Sequence, residues 1–392
     1  MLLRKLLAVA LTLVSIFVSA QPASADAIRD REYWISDYGF QKAWKITKGA
    51  GVKVAIIDTG IDATHPDLQG AVTLGLDVSS QATYAEQNPI QDFGFHGTMV
   101  ASLLAGRGHD KNSGVIGVAP EAEIISIAMR FDIENPSTDE QIAKGIRNAV
   151  DAGAKVINLS LTRNSRDWPA LWDEAFQYAF DNDVVVVAAA GNRAGGTEQV
   201  GAPATIPGVL VVAGVDKNAQ SSNQASTEGL TIGVSAPATD LVSAYPGADY
   251  KIWSGTSGAA PIVSGLVALV RAHYPELDAN NVINRVIATA TKMTDEPYST
   301  EFGYGLIDPV KALTAEVPAV QENPLGSLVE WVKLYRKSAE VPQAGEISAP
   351  VEPGELTSAK GFDTTQIVPI GVYVVLGILV LSSLFRRLRR RK

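Results

Sequence analysis

The chain has 392 residues and not one cysteine, so no disulfide can form and stability must come from packing, with bound ions as the only other staple. It also has little positive charge where the folded part must lie. The formal charge is −9, but two cations fall in the first five residues (Arg4, Lys5) and six in the last seven, which leaves −17 over residues 26–385. A body that acidic argues against nucleic acid as a partner. The turn after the first apolar run of the body, Asp58-Thr59-Gly60-Ile61-Asp62, lacks the G-x-G-x-x-G phosphate cradle, which argues against a nucleotide-binding α/β domain. There is no internal repeat.

Long uncharged runs occur at the two ends. Met1-Leu2-Leu3-Arg4-Lys5 leads into an apolar stretch from Leu6 to Val18 and then to Ala23-Ser24-Ala25, the pattern of a secretory signal over residues 1–25 with cleavage before Asp26. Residues 367–385 carry no charge and would cross most of a ~30 Å hydrocarbon core as a helix. Arg386 to Lys392 follow directly, and such a cluster stays on the cytoplasmic side. The sequence therefore predicts a single-pass protein of the cell membrane, with its body extracellular, residues 367–385 as the transmembrane helix and 386–392 as a basic cytoplasmic tail.

About 290 residues remain, enough for one large domain with a buried core. Val52 to Ile57 reads as a buried parallel strand ending at Asp58, and in open α/β sheets functional groups collect at such carboxyl ends. Thr138-Asp139-Glu140-Gln141 has capping-box spacing and opens a helix to about Ala152; Gly153 ends it, and Val156 to Leu161 is the next strand. Leu171–Phe180 followed by Val184–Ala189 repeats the alternation, Val209–Val215 adds a strand, and Ser257–Tyr274 is apolar nearly all round, as a central helix should be. The fold class is α/β, a mostly parallel central sheet with helices on both faces. From Glu316 to Gln366 the composition turns to Pro, Glu, Ala and Ser, a linker. Within it Leu325, Leu328, Val329, Val332 and Tyr335 fall at helical spacing, for a helix that docks on a membrane or partner or packs back on the domain.

Three separated segments carry the chemistry: Ile56-Ile57-Asp58-Thr59-Gly60, His96-Gly97-Thr98-Met99-Val100-Ala101 and Ser254-Gly255-Thr256-Ser257-Gly258-Ala259-Ala260-Pro261. A serine hydroxyl is a poor nucleophile until an imidazole takes its proton and a buried carboxylate orients that imidazole. Asp58, His96 and Ser257 supply these three groups, and Asn192 in Ala190-Gly191-Asn192 supplies a side-chain donor for an oxyanion. The order Asp, His, Ser along the chain is that of subtilisin.

On these segments the chain resembles the subtilases, subtilisin-like serine proteases, from about Trp34 to Leu313. The resemblance implies the subtilisin-like three-layer fold over residues 26–315, with Asp58, His96, Ser257 and Asn192 as catalytic residues and no cofactor or metal in the chemistry. It also implies an extended protein or peptide substrate, with Ser160-Leu161-Thr162 as the edge that binds it. Val200-Gly201-Ala202-Pro203 resembles the floor of the primary pocket, where Gly201 is expected to leave room for a large residue. Thr162 and Arg163 stand where relatives often carry glycines and are expected to narrow or charge that pocket. His65-Pro66-Asp67-Leu68 and the loop from His109 to Ile116 resemble the segments of a structural Ca²⁺ site, so such an ion is an expectation of the resemblance, Asp67 being a suitable oxygen ligand; His65, His109 and His273 are read as structural. Gly258 replaces a larger family residue and is expected to loosen the helix start. Asp26 to Lys53 is expected to leave no room for an inhibitory prodomain. The whole arrangement resembles the mycosins, the membrane-anchored subtilases associated with type VII secretion, although those usually have disulfides. The expected function is a membrane-anchored extracellular serine endopeptidase working through an acyl-enzyme. The alternative is a mycosin-like protein in a secretion complex, whose role as a scaffold matters as much as its proteolysis.

Overall fold

A computed structural model describes residues 27–80, 95–110, 112–131, 136–197, 199–336, 347–348 and 357–358. The elements run α1 (Tyr33–Asp37), α2 (Phe40–Ala43), β1 (Lys53–Asp58), β2 (Val72–Asp77), α3 (Phe95–Ala105), β3 (Glu123–Ala128), α4 (Thr138–Asp151), β4 (Val156–Leu159), β5 (Thr162–Arg163) and α5 (Ala170–Asp181). There follow β6 (Val185–Ala189), β7 (Leu210–Val215), β8 (Ile232–Pro237), β9 (Leu241–Tyr245), β10 (Asp249–Trp253), α6 (Thr256–His273), α7 (Ala279–Ala288), α8 (Pro309–Thr314), α9 (Leu328–Tyr335), β11 (Ile347–Ser348) and β12 (Thr357–Ser358). Seven strands form one sheet in the order β2-β3-β1-β4-β6-β7-β8, every neighbouring pair parallel.

A sheet of this kind must be covered on both faces, and its strands then read as continuous apolar runs rather than alternating ones. Strands β6 and β7 are buried at every position. Side chains from their two faces feed two separate cores. One holds Leu103, Leu104, Ile262, Leu266 and Val282, from α3, α6 and α7; the other holds Ile142, Ile146, Trp172 and Phe176, from α4 and α5. The outcome is the three-layer, subtilisin-like α/β fold.

Local details depart from the sequence reading by a residue or two, each for a reason. Helix α4 is capped one residue earlier than its spacing suggests: Ser137 Oγ accepts from Glu140 N–H and Glu140 reaches back to Ser137 N–H. Gln141 is freed from the cap and buried, where its amide bonds both the N–H and C=O of Arg130. The strand expected over Val156–Leu161 ends at Leu159, because the Ser160 side chain and carbonyl turn toward α6.

The expected signal (1–25), transmembrane helix (367–385) and basic tail (386–392) lie outside the described residues. Among the described residues no helix is long and apolar enough to cross a membrane. The linker read from residue 316 onward begins as packed structure. Asn281 and Asn284 on α7 bond the carbonyls of Val320 and Pro318, and Asn323 donates to Gly208 O. Helix α9 then buries Leu328 and sets Trp331 on Trp168, ring centroids 4.3 Å apart. Arg336 closes the contact on the Asp173 carboxylate at 2.8 Å and the Trp168 carbonyl at 2.8 Å. Packing thus continues to Arg336, well past the boundary expected at 315, because a few apolar positions in a polar stretch are enough to dock one short helix.

Between α5 and β6, Asp183 adopts a left-handed backbone (φ 61°) and gathers the surrounding elements. Its carboxylate accepts from Arg271 of α6 at 2.9 Å, from the first N–H of α7 at 2.6 Å and from Lys155 at 3.3 Å. Partial burial opposes its ionisation, but the Arg271 hydrogen bonds and charge, the Ala279 N–H and Lys155 outweigh it and hold the carboxyl below its ordinary value. A depressed acid stabilises the fold above its unfolded value of about 3.9 and loses that contribution as pH falls through the lower folded value. Asparagine keeps the shape and tolerates a left-handed backbone. The Asp183 side chain is 39% exposed, so solvent screens its pairing, and Asp183→Asn is therefore expected to lower Tm by no more than roughly 2 °C at neutral pH. The gap should close toward pH 3, as read by thermal unfolding across a pH series.

Candidate active site

The carboxyl edge of the sheet brings the three sequence segments together. Asp58 is the last residue of β1, and Thr59 N–H fixes its Oδ1 at 2.7 Å. His96 is the second residue of α3, and its Nδ1 lies 2.9 Å from both Asp58 oxygens. Both side chains are 2 % exposed, so the carboxylate is shielded from water and holds the ring. The start of α3 is locked to the turn after β1: Thr59 Oγ1 accepts from Gly97 N–H and Thr98 Oγ1 from Asp62 N–H. Glycine is required at 97 because a Cβ there would meet Gly60 O at 2.2 Å. Trp253 stands edge-on to the His96 ring at 5.7 Å.

Ser257 is the second residue of α6 and its Oγ donates to the Ser160 carbonyl at 3.2 Å. Its hydroxyl is thus directed at the end of β4. The helix start is held by a feature the motif reading missed. Pro261, four residues on, has no N–H, so the Ser257 carbonyl lacks its helical donor. Ser160 Oγ donates to that carbonyl instead at 2.9 Å. Behind it Asn158 donates to Ser160 Oγ at 3.0 Å and accepts from Ser264 Oγ at 2.9 Å, all four residues buried. The proline in the motif was the available signal for this relay. The site is equally firm at Gly258, where the sequence suggested looseness: a Cβ there would meet Leu241 Cδ1 at 2.3 Å, so Leu241 fills the space a larger residue would use.

Asn192 follows β6 and accepts on Oδ1 from Thr256 N–H (2.7 Å) and Thr256 Oγ1 (2.9 Å). With the acceptor end committed to α6, the amide nitrogen is the end that can act as a donor. Thr256 was not singled out by the sequence reading, since its role depends on a residue 64 positions away.

The expected substrate-binding residues fare unevenly. Leu161 is buried in the second core while Thr162 remains partly open. At Gly201 two backbones approach so closely that only glycine fits. A Cβ there would lie 1.8 Å from Arg163 O, the two segments being tied by Arg163 N–H to Ala202 O and Ala202 N–H to Ser165 O, both 2.8 Å. Arg163 does not charge the pocket: its guanidinium is buried against Asp139 at 2.6 Å and over the Trp172 ring. The loop from His109 folds onto Asp67, whose Oδ1 takes His109 Nδ1 at 2.7 Å and whose Oδ2 takes Val115 N–H at 2.7 Å. Both oxygens of this buried carboxylate are committed to protein donors, which does not fit the all-oxygen cage of a calcium ion, and among the described residues no cluster of three or more His, Asp or Glu could hold a metal.

A three-layer parallel α/β fold with a buried carboxylate–imidazole pair beside a helix-borne serine defines the class of subtilisin-like serine hydrolases. The chain belongs to the subtilase family, whose model matches residues 49–305. It is 38% identical to subtilisin DY of Bacillus licheniformis over 263 residues, covering 67% of this chain and 90% of that one. Among solved structures, the serine protease MycP1, an essential component of the type VII (ESX-1) secretion system, is similar with a TM-score of 0.62 and 33% identity, over 75% of this chain and 90% of that one. Fervidolysin from Fervidobacterium pennivorans, a keratinolytic enzyme related to subtilisin, is similar with a TM-score of 0.64 and 30% identity; the match covers 76% of this chain but only 49% of fervidolysin.

Proposed function

We propose that this protein is a membrane-anchored extracellular serine endopeptidase in which Ser257 is the nucleophile, His96 the general base and Asp58 the group that orients the imidazole. The observation that carries the reading is the buried pairing of His96 Nδ1 with both oxygens of Asp58. It fixes the tautomer in which the ring's other nitrogen is a bare acceptor, ready for the Ser257 proton. Attack of Ser257 Oγ on a peptide carbonyl gives a tetrahedral oxyanion, which the Asn192 amide and the amino end of α6 stabilise. Collapse to the acyl-enzyme expels the amine, to which His96 returns the proton, and water then releases the acid by the same steps in reverse.

The substrate adds as an extended strand along Thr162 beside Ser160. Thr162 is partly open on that edge and carries a side chain where relatives often carry glycine, so it narrows the primary pocket and the residue before the cut is small. Membrane anchoring is supported by the uncharged run over residues 367–385 and the cations that follow. A place in a secretion assembly is supported by the structural likeness to MycP1. A fluorophosphonate probe tests the chemistry: the wild-type chain is expected to label and Ser257→Ala not. Peptides with alanine before the cut should exceed their phenylalanine counterparts in kcat/KM by about tenfold or more. Failure to label would remove the nucleophile assignment, and equal rates would mean that a pocket lies elsewhere.

A further inference from the structure

Two dipeptides from beyond α9 are paired to strands on either side of the site. Strand β11 runs antiparallel to β5, with Ile347 opposite Arg163 and Ser348 opposite Thr162. Strand β12 runs antiparallel to β10, with Thr357 opposite Ile252 and Ser358 opposite Lys251. β5 follows directly on Ser160, whose carbonyl takes the Ser257 hydroxyl, and β10 ends in Trp253, which faces the His96 ring. Eight residues join the two dipeptides. From 347 to 348 the chain advances from Arg163 toward Leu161, that is, toward Ser160 and Ser257.

The pairing uses the groups a substrate would need. Arg163 N–H is committed to Ala202 O, so by the alternation of a strand the Thr162 N–H and C=O are the pair that faces outward to Ser348. The sequence suits short, reversible pairing. Ile347 and Thr357 are β-branched and favour strands, whereas Pro350 and Pro353 between the two dipeptides have no N–H to offer a ladder.

We propose that residues 347–348 are an intramolecular occupant of the substrate-binding edge, with 357–358 holding the segment to β10 beside the site, so that the segment leading to the predicted membrane span competes with substrate for Thr162. The inference rests on the proposed substrate edge. A segment tethered in cis acts at an effective concentration of about millimolar, so even weak pairing raises the apparent KM severalfold. It leaves kcat alone, because a bound substrate has already displaced it.

The test uses the full-length chain in detergent. Proline at 348 removes the N–H that faces Thr162 O. Ser348→Pro is expected to lower KM for a short peptide substrate by roughly two- to tenfold with kcat unchanged. A synthetic peptide of residues 344–358 should then restore the higher KM as a competitive inhibitor, and the same peptide with proline at 348 should not. In a Ser257→Ala background, where nothing is cut, hydrogen exchange at the Thr162 amide should be slow and should speed up on adding Ser348→Pro. An unchanged KM, or exchange at Thr162 that does not respond to Ser348→Pro, overturns the inference. If no form of the chain turns over substrate, the proposed function fails instead, and the exchange experiment still decides whether the edge is occupied.

Discussion

Ser257→Ala is expected to lower kcat by about 10⁶-fold while leaving the fold intact. That figure is the one measured for the serine of subtilisin itself, a relative of this chain, where removing serine or histidine alone costs about as much as removing the whole unit. The contacts around Ser257 explain why stability should survive. The hydroxyl makes one protein hydrogen bond among the described residues, to Ser160 O at 3.2 Å. The bond that holds the helix start, from Ser160 Oγ to the Ser257 carbonyl, involves backbone and remains. Alanine is also the best helix former for that position. His96→Ala should cost a similar factor in rate but also lower Tm, because it leaves the Asp58 carboxylate buried and without its cation or ring partner. The double variant should be no slower than either single one. Independent, multiplying losses in kcat would show that the two residues do not act as one unit.

The parts of this site that were legible in the sequence are those whose signal is local. Asp58 ends an apolar run, His96 heads a helix with a glycine beside it, and Ser257 enters a long apolar helix; each could be placed from its neighbours, and chain order then joined them. What was not legible depends on contacts between distant segments. That position 201 must be glycine depends on the Arg163 carbonyl, which a Cβ there would meet, and Gly258 read as loose until Leu241 was found filling the gap. Arg163 reads as a charge at the pocket because its neighbours in sequence line it, but its guanidinium is buried against Asp139. α9 was visible as a helix, with packing back on the domain as one of its readings, but its partners were not, since nothing in residues 316–336 points to Trp168 and Asp173. Periodicity reports which face of an element is apolar, and only the fold says what meets it.

Asn192 carries the second large prediction, because one side chain serves two purposes there that a single substitution would confuse. Its Oδ1 holds Thr256 N–H and Oγ1 at the start of the helix that bears Ser257, and its amide end is the proposed donor to the oxyanion. Asn192→Ala removes both. The loss expected is about 10²–10³-fold in kcat, the value measured for the corresponding donor in subtilisin, together with a loosened helix start. Asn192→Asp separates the two effects, since the carboxylate keeps an oxygen toward Thr256 but offers a negative charge where the donor was. If the donor matters most, Asp should be at least as slow as Ala while its Tm stays nearer to wild type. KM should move little in either, because the charge to be stabilised develops only in the transition state. Should Asp instead recover most of the activity that Ala loses, Asn192 would be a positioning residue for α6, and the oxyanion would have to depend on backbone N–H groups at the amino end of that helix alone.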